Sequence, residues 1–531
     1  MKERLHWLVL LFVGLIISIG ISRGEFFYFG DGMRHGMTGV FFRDLLVDHP
    51  WNNPVRYAYE YYAKYPALGL VYWPPLFHIV EGVYYLVFGI SVVSSRLAIL
   101  SYALVGVFFW YKIAEREGPK SRALTSALIF PLLPFVLVYE RVTMLEIPCV
   151  AMCIVALYFW QSFMRGERAR DLWCFAAFLV ASLYTSQKAI VVTVFVVLHF
   201  LVERRWSLLK RWDVWAAAVL SAAVVIPWYD FMMQKLSFSY ERVAGDEFHH
   251  LYSVHHLAFY PKRVIDQTGM LLGILGMAGT VWAMLRARKE HRFFLVWMAA
   301  SYLCFLLIQE KSIRHTMIWI PALVYFALVM VENLMPRKSW IPIAFSILAV
   351  YSVVRALNSD TPKLSGIEPV VQYLIALPDT DVLYYQGSLN GDFIFNVRKY
   401  DPQKRRLVAR EKQIVATRVN EGYGTRRILT TPEEVVKLFQ EWGIRYAVVE
   451  NREFINGLGP VRAALLSGQF EPIRTFNIES NDSFYANRRV TIYRFKGDLR
   501  RSEATVTLPM MTLREDIKAD LSRLAGRPWP N

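Results

Sequence analysis

The chain has 531 residues, of which 55% are hydrophobic and 15% aromatic, with a mean hydropathy of +0.29 and a formal net charge of +16. That combination belongs to polytopic membrane proteins and excludes an ordinary soluble domain. The lysines and arginines cluster in short loops between apolar runs, the pattern that orients a membrane protein, so no nucleic-acid partner is expected.

Segments apolar and long enough to span a bilayer run over 5–22, 92–111, 123–138, 147–164, 172–185, 189–202, 213–229, 267–285, 293–308, 316–332 and 340–356. They predict about eleven transmembrane helices, and an inside N-terminus then puts the C-terminus outside. The loops placed inside hold about nineteen Lys and Arg, against about four in the short loops placed outside, as the positive-inside rule requires. Met1 to Ser22 starts like a signal peptide, but Gly24-Glu25-Phe26-Phe27 has no small-residue cleavage site. Apolar segments follow throughout, so a retained first helix is expected. Cys149, Cys153, Cys174 and Cys304 all fall in predicted spans without metal-ligand spacing, which supports neither a disulfide framework nor a zinc site.

The first outer loop runs from Arg23 to about Ser91, far longer than a bundle connection needs, which points to a task of its own. Within it Asp31 stands between two glycines just past the first span. It either N-caps the amphipathic helix that begins there or acts as a general base, and the two roles are compatible. A carboxylate at a low-dielectric boundary has its pKa raised toward the range that base catalysis needs. His35 follows four residues later, so a divalent cation is conceivable, but no third ligand is evident and no cofactor is required. Lys64 in YYAKYPALG is a further cation of this loop. The segment 73–89, WPPLFHIVEGVYYLVFG, contains His78 and Glu81, and counting it as a span would put the basic loops outside, so an interfacial helix is predicted.

The next outer loop carries YERVTMLEIP, with Glu140, Arg141 and Glu146 near the membrane boundary, where ionisable groups are functional candidates if they face a cavity. Asp31 and Glu146 could converge on one site. The loop 230–266 is rich in His, Tyr and charge and faces the same side. Before the tenth span, QEKSIRHTMIWIPAL brings Lys311, Arg314 and His315 to the outer headgroup level. Such a trio suits a phosphate, because Arg binds phosphate oxygens bidentately and Lys adds a point charge.

After the last span the hydropathy falls to that of a soluble domain, so 1–356 is the membrane part, 357–497 an extracytoplasmic α/β domain and 498–531 a loose basic tail. A helix is predicted from Thr431 as N-cap, with Pro432 at N1, Glu434 at N3 and Gly443 as its stop. Strands are predicted at 381–385, 392–397, 446–449 and 489–495. There is no internal repeat, so the inverted-repeat design of many transporters has no support.

FYFGDGM after the first helix, KYPAL and YWPPLFH ending in LVFG, RVTMLEIP, and KSIRHTMIWIPAL, in that order, resemble the GT-C glycosyltransferases, in the branch of bacterial protein-O-mannosyltransferase-like enzymes and the lipid A aminoarabinose transferase. The resemblance implies a GT-C-like membrane domain. It also implies sugar transfer from a polyprenyl-phosphate donor to a lipid, protein or glycan acceptor at the outer face of the cytoplasmic membrane. It casts Asp31 as the base and Glu146 as the second carboxylate, with Arg314 and His315 as the basic pair. The chain departs from many relatives in having Gly32 where they have Glu, and Glu146 where Asp is frequent. The rival class is a transporter or flippase of a lipid-linked or anionic substrate, which would place ionisable groups near mid-membrane; the predicted spans are almost free of them.

Overall fold

The computed structural model describes residues 5–26, 30–244, 253–308, 311–418, 425–452, 459–500, 505–510 and 515–529. Phe27 to Phe29 of the FYFGDGM motif and residues 245–252 of the His-rich loop lie outside the described residues. Helix α1 (Leu5–Ser18) precedes three helices of the long first loop, α2 (Asp31–Asp48), α3 (Pro54–Lys64) and α4 (Leu76–Phe88). Then come α5 (Val92–Glu117), α6 (Lys120–Ile129), α7 (Pro134–Glu140), α8 (Glu146–Gly166), α9 (Ala169–Thr185), α10 (Ile190–Glu203) and α11 (Trp212–Ala244). The membrane part closes with α12 (Val254–Thr268), α13 (Met270–Arg286), α14 (Lys289–Leu306), α15 (Ile320–Leu334) and α16 (Ile341–Leu357).

Helices stand at all eleven predicted segments, and the chain is a multi-pass membrane protein. Among the described residues, five helices are long and apolar enough to cross a bilayer, or six if α6 and α7 are one span bent by 64°. The third predicted span, 123–138, is therefore broken, and the cause is Pro131 and Pro134: the first cannot continue α6, and the second suits the first turn of α7. Helices α8 and α15 are apolar on every face and buried along nearly their whole length, so they form the centre of the bundle. Helices α11 and α16 are equally apolar yet largely exposed, which leaves the surface that lipid covers.

The predicted interfacial helix is α4. Its ionisable groups turn inward: His78 and Glu81 are fully buried, and Glu81 Oε1 accepts bonds from Ser95 Oγ at 2.5 Å and Tyr85 OH at 3.1 Å. Helix α4 is thus tied to α5 below it, while α2 packs on its other side through His35 and His78.

Beyond α16 lies a five-stranded sheet of β1 (Val382–Gln386), β2 (Leu407–Arg410), β3 (Tyr446–Glu450), β4 (Phe470–Asn477) and β5 (Arg489–Phe495). Their spatial order is β2-β1-β3-β5-β4; the first three are parallel, and β5 pairs antiparallel with both β3 and β4. Pro432–Trp442 is the predicted helix, with Thr431 and Glu434 forming a reciprocal capping box and Gly443 ending it. Two expectations fail. Residues 392–397 are not a strand but part of α18 (Asn390–Tyr400), which follows α17 (Ile367–Ile375); α18 is buried on every face from Asn390 to Arg398, polar residues included, so no solvent face marks the helical period, and Phe393, Phe395 and Val397 alternate as in a strand. Nor is the tail loose: β6 (Thr505–Met510) and β7 (Glu515–Asp520) pair as an antiparallel hairpin, and Trp529 stacks on Tyr57 of α3 with centroids 4.8 Å apart.

The α/β domain is locked to α2 by two ion pairs, Lys404 with Asp48 and, more deeply buried, Arg398 with Asp44. Asp44 is wholly buried; its Oδ2 accepts from Arg398 Nε and Tyr61 OH, each at 2.7 Å, and its Oδ1 from Arg398 Nη2 at 2.8 Å and Arg43 Nη1 at 2.7 Å. Burial alone would raise the Asp44 pKa, but the Arg398 guanidinium overrides it and holds the carboxyl below the usual range. Removing one member leaves the other charge buried and unpaired, so Arg398→Met is expected to cost about 3–5 kcal/mol in denaturant unfolding of the purified protein. The double variant Asp44→Leu/Arg398→Met should recover most of that loss; a double variant as unstable as Arg398→Met would show that the pair is not what joins the domains.

Candidate active site

Asp31 is the first residue of α2 rather than its cap. Gly30 occupies the cap position at φ +82, a left-handed conformation that favours glycine, and no side chain caps the helix. The carboxylate is therefore not engaged in capping. Its Oδ2 lies 3.6 Å from Nη1 of Arg314, in the turn before α15. Glu146 opens α8, and its Oε1 accepts a hydrogen bond from Lys188 Nζ at 2.8 Å and lies 3.7 Å from Arg314 Nε. Arg314 thus bridges two carboxylates from loops far apart in the chain.

Burial pushes the Asp31 carboxyl above the ordinary aspartate range; Arg34 and Arg314 pull it back, and Glu146 raises it. His35, one helical turn further on, is 2% exposed; its Nδ1 stands 3.0 Å from His78 Nε2, and its ring centroid is 4.2 Å from that of Trp73. Burial, with His78 and Arg314 nearby, holds the His35 pKa well below the usual imidazole value, so the two rings share a proton as a neutral pair. Among the described residues no group of three or more His, Cys, Asp or Glu could hold a metal ion.

The remaining sequence candidates fall in different places. His315 flanks Arg314, stacks on Phe305 and lies with Nδ1 3.4 Å from Tyr260 OH; its ring feels the charges of Lys188, Arg314 and Glu146. Lys311 caps the end of α14, its Nζ donating to the carbonyls of Phe305 and Leu306 at 2.9 and 2.6 Å. Lys64 is fully buried, donates to the Leu524 carbonyl, and faces the rings of Tyr65 and Trp529 at 5.9 Å, so these contacts lie with the C-terminal segment. Arg141 is a structural tie: it donates to the carbonyls of Ile16 and Ile17 at 2.7 and 3.2 Å at the end of α1. Glu140 beside it is buried, with Oε2 unpartnered.

Sequence reasoning overlooked Lys188, Arg34 and the pairing role of His78. Lys188 carried a usable signal, the one applied to Lys311 and Arg314: it is a cation in a short loop on the cation-poor face.

The fold is that of the GT-C glycosyltransferases. A family model described as dolichyl-phosphate-mannose-protein mannosyltransferase matches residues 73–230. The crystal structure of ArnT from Cupriavidus metallidurans in the apo state superposes with a TM-score of 0.61 at 16% identity, covering 93% of this chain and 99% of that one. The same protein bound to undecaprenyl phosphate gives 0.60 at 17% identity, over 93% and 98% of the two chains. An oligosaccharyltransferase from Archaeoglobus fulgidus gives 0.53 at 11% identity, over 83% of this chain and 68% of that one. In sequence, an uncharacterised protein of Aquifex aeolicus is 24% identical over 258 residues, 47% of this chain and about half (51%) of the relative's own length.

The electrostatics can be tested without an assay of activity. In infrared titration of the protein, with Asp31→Asn as the subtraction, the Asp31 carboxyl band should titrate at higher pH than a free aspartate. Arg314→Gln removes a charge that favours the carboxylate, so it should move that titration to higher pH still. A shift toward lower pH would rule out the Arg314 contact.

Proposed function

We propose that the chain is a membrane glycosyltransferase that moves a sugar from a polyprenyl-phosphate donor to an acceptor hydroxyl at the outer face of the cytoplasmic membrane. The observation that carries this reading is the Arg314 bridge: two carboxylates from segments far apart in the chain share one guanidinium at the head of α2, the helix that also holds the α/β domain. The basic loops at the opposite ends of the spans support the orientation, with the N-terminus inside and the α/β domain outside. ArnT, which shares the fold, has been solved with undecaprenyl phosphate bound, and this supports a lipid phosphate as the donor carrier.

The reaction is a single inverting displacement. Asp31 takes the proton of the acceptor hydroxyl as that oxygen attacks the anomeric carbon, and its raised pKa improves it as a base. The bond from the anomeric carbon to the phosphate oxygen breaks with its electron pair going to the phosphate. Arg314, with Lys188 and His315 close by, stabilises the charge that gathers there. Glu146 holds Lys188 and Arg314 in place and orients the sugar or acceptor.

Asp31→Asn preserves shape and removes the base. With purified protein and a radiolabelled polyprenyl-phosphate sugar, transfer should fall by about 10²–10⁴-fold while binding of undecaprenyl phosphate stays close to that of the unmodified protein. Turnover near the normal rate in this variant would refute the base assignment.

A further inference from the structure

The α/β domain presents a ligand-binding edge to the site. The chain leaves β1 to form β2 on one side and returns to form β3 on the other, so strand order reverses between β1 and β3, and in open α/β sheets ligands bind outside the carboxyl ends of the strands at that point. Here that edge faces α2 of the membrane part. A Cβ on Gly391, at the start of α18, would overlap the Met33 side chain, and Arg34 is the next residue of α2.

Two guanidiniums belong to this seam, one from each side. Arg410, the last residue of β2, donates to Asn390 Oδ1 at 3.3 Å and to Tyr62 OH at 3.2 Å; both partners are neutral, and its Nε is buried without a partner. Arg34 projects from α2 between Asp31 and His35, and its charge is felt by Asp31 on one side and by Arg410 on the other. Among the described residues, no carboxylate lies within 4 Å of either guanidinium, whereas Asp44, Glu146, Glu332 and Glu450 each have such a cation. Like charges in a partly dry seam repel, and an oxyanion between them converts that repulsion into paired, bidentate attraction.

We propose that Arg34 and Arg410, steadied by Asn390 and Tyr62, form an oxyanion subsite at the seam between the domains, and that it holds a phosphate or carboxylate carried by the acceptor. The subsite rests on the transferase reading, and it assigns the α/β domain a part in selecting acidic acceptors. Its place three residues along α2 from Asp31 would set the acceptor hydroxyl beside the base, while the donor phosphate is left to Arg314.

The probe is inorganic phosphate, titrated onto the full-length protein in phosphatidylcholine nanodiscs already saturated with undecaprenyl phosphate, and read by calorimetry. The unmodified protein should bind phosphate, Arg410→Gln and Arg34→Gln should each weaken that binding at least tenfold, and Arg410→Lys should recover part of it. Arg314→Gln should leave it unchanged. Absence of phosphate binding by the unmodified protein, equal binding by both glutamine variants, or a loss in Arg314→Gln matching that in Arg410→Gln would each overturn the subsite; the last result would assign the phosphate to the donor position. Should Arg410→Gln fail to fold, the unmodified protein and Arg34→Gln still decide. If undecaprenyl phosphate itself does not bind, the transferase reading fails on a separate readout, and the phosphate titration can be run without it.

Discussion

Buried ion pairing at the foot of α2 fixes the geometry of the site, through Asp44 with Arg398 and, beside it, Asp48 with Lys404. Asp44 and Arg398 join α2 to the α/β domain with every carboxylate oxygen paired, and α2 is continuous from Asp44 back to Asp31. At the helical rise those residues are about 20 Å apart, so a lock at one end of a rigid rod sets the position of the carboxylate at the other. Desolvating both ions costs several kcal/mol each, which close hydrogen bonds from Arg43 and Tyr61 help to offset. The pair is better understood as a device of position than as a source of stability. It also brings the start of α18, at the carboxyl edge of the sheet, against Met33 in the first turn of α2.

The contacts at the other end of α2 are of two kinds. Lys188 holds Glu146 at hydrogen-bond distance, whereas Arg314 stands 3.6 and 3.7 Å from Asp31 and Glu146, too far for a close charge-assisted bond. A tight bond there would lower the pKa of Asp31 and make it a weaker proton acceptor. The looser contact leaves burial dominant, and the net shift is upward. With Arg34, Lys188 and Arg314 set against Asp31 and Glu146, the site has a cationic excess, which suits an anionic donor.

Much of this was legible in the sequence, and the exceptions have physical causes. Helices in the apolar segments, the helix within 73–89 and the capping box at Thr431 are local signals of period, length and turn chemistry, and they appear where they were expected. The broken third span was signalled by Pro131 and Pro134, whose effect on a helix is also local. Helix α18 was misread because its polar residues are buried along with the apolar ones and mark no solvent face, while Phe393, Phe395 and Val397 alternate as in a strand. The candidate site was legible in part: the scarcity of cations on one face made Arg314 conspicuous, and the position of Asp31 did the same. Nothing in the sequence says that Arg314 meets Glu146, that His35 meets His78, or that Arg141 turns away to the carbonyls of α1. Those are facts of tertiary packing between segments remote in the chain.

The same distinction explains how one cluster of charges can serve both position and chemistry. Charges that hold the structure, such as Asp44 with Arg398 and Glu450 with Arg488, are almost wholly buried and closely paired. Asp31, Arg34 and Arg410 are only partly buried; the ion-pair contact of Asp31 is longer, and Arg410 donates to neutral partners. A closely paired ion gains little from an incoming charge, because its field is already satisfied. A loosely paired one keeps its field available at low dielectric, where an arriving phosphate or a developing negative charge is stabilised more strongly than in water. The incomplete pairing at the head of α2 is therefore what a site for anionic substrates requires, and the complete pairing at its foot is what keeps that head in place.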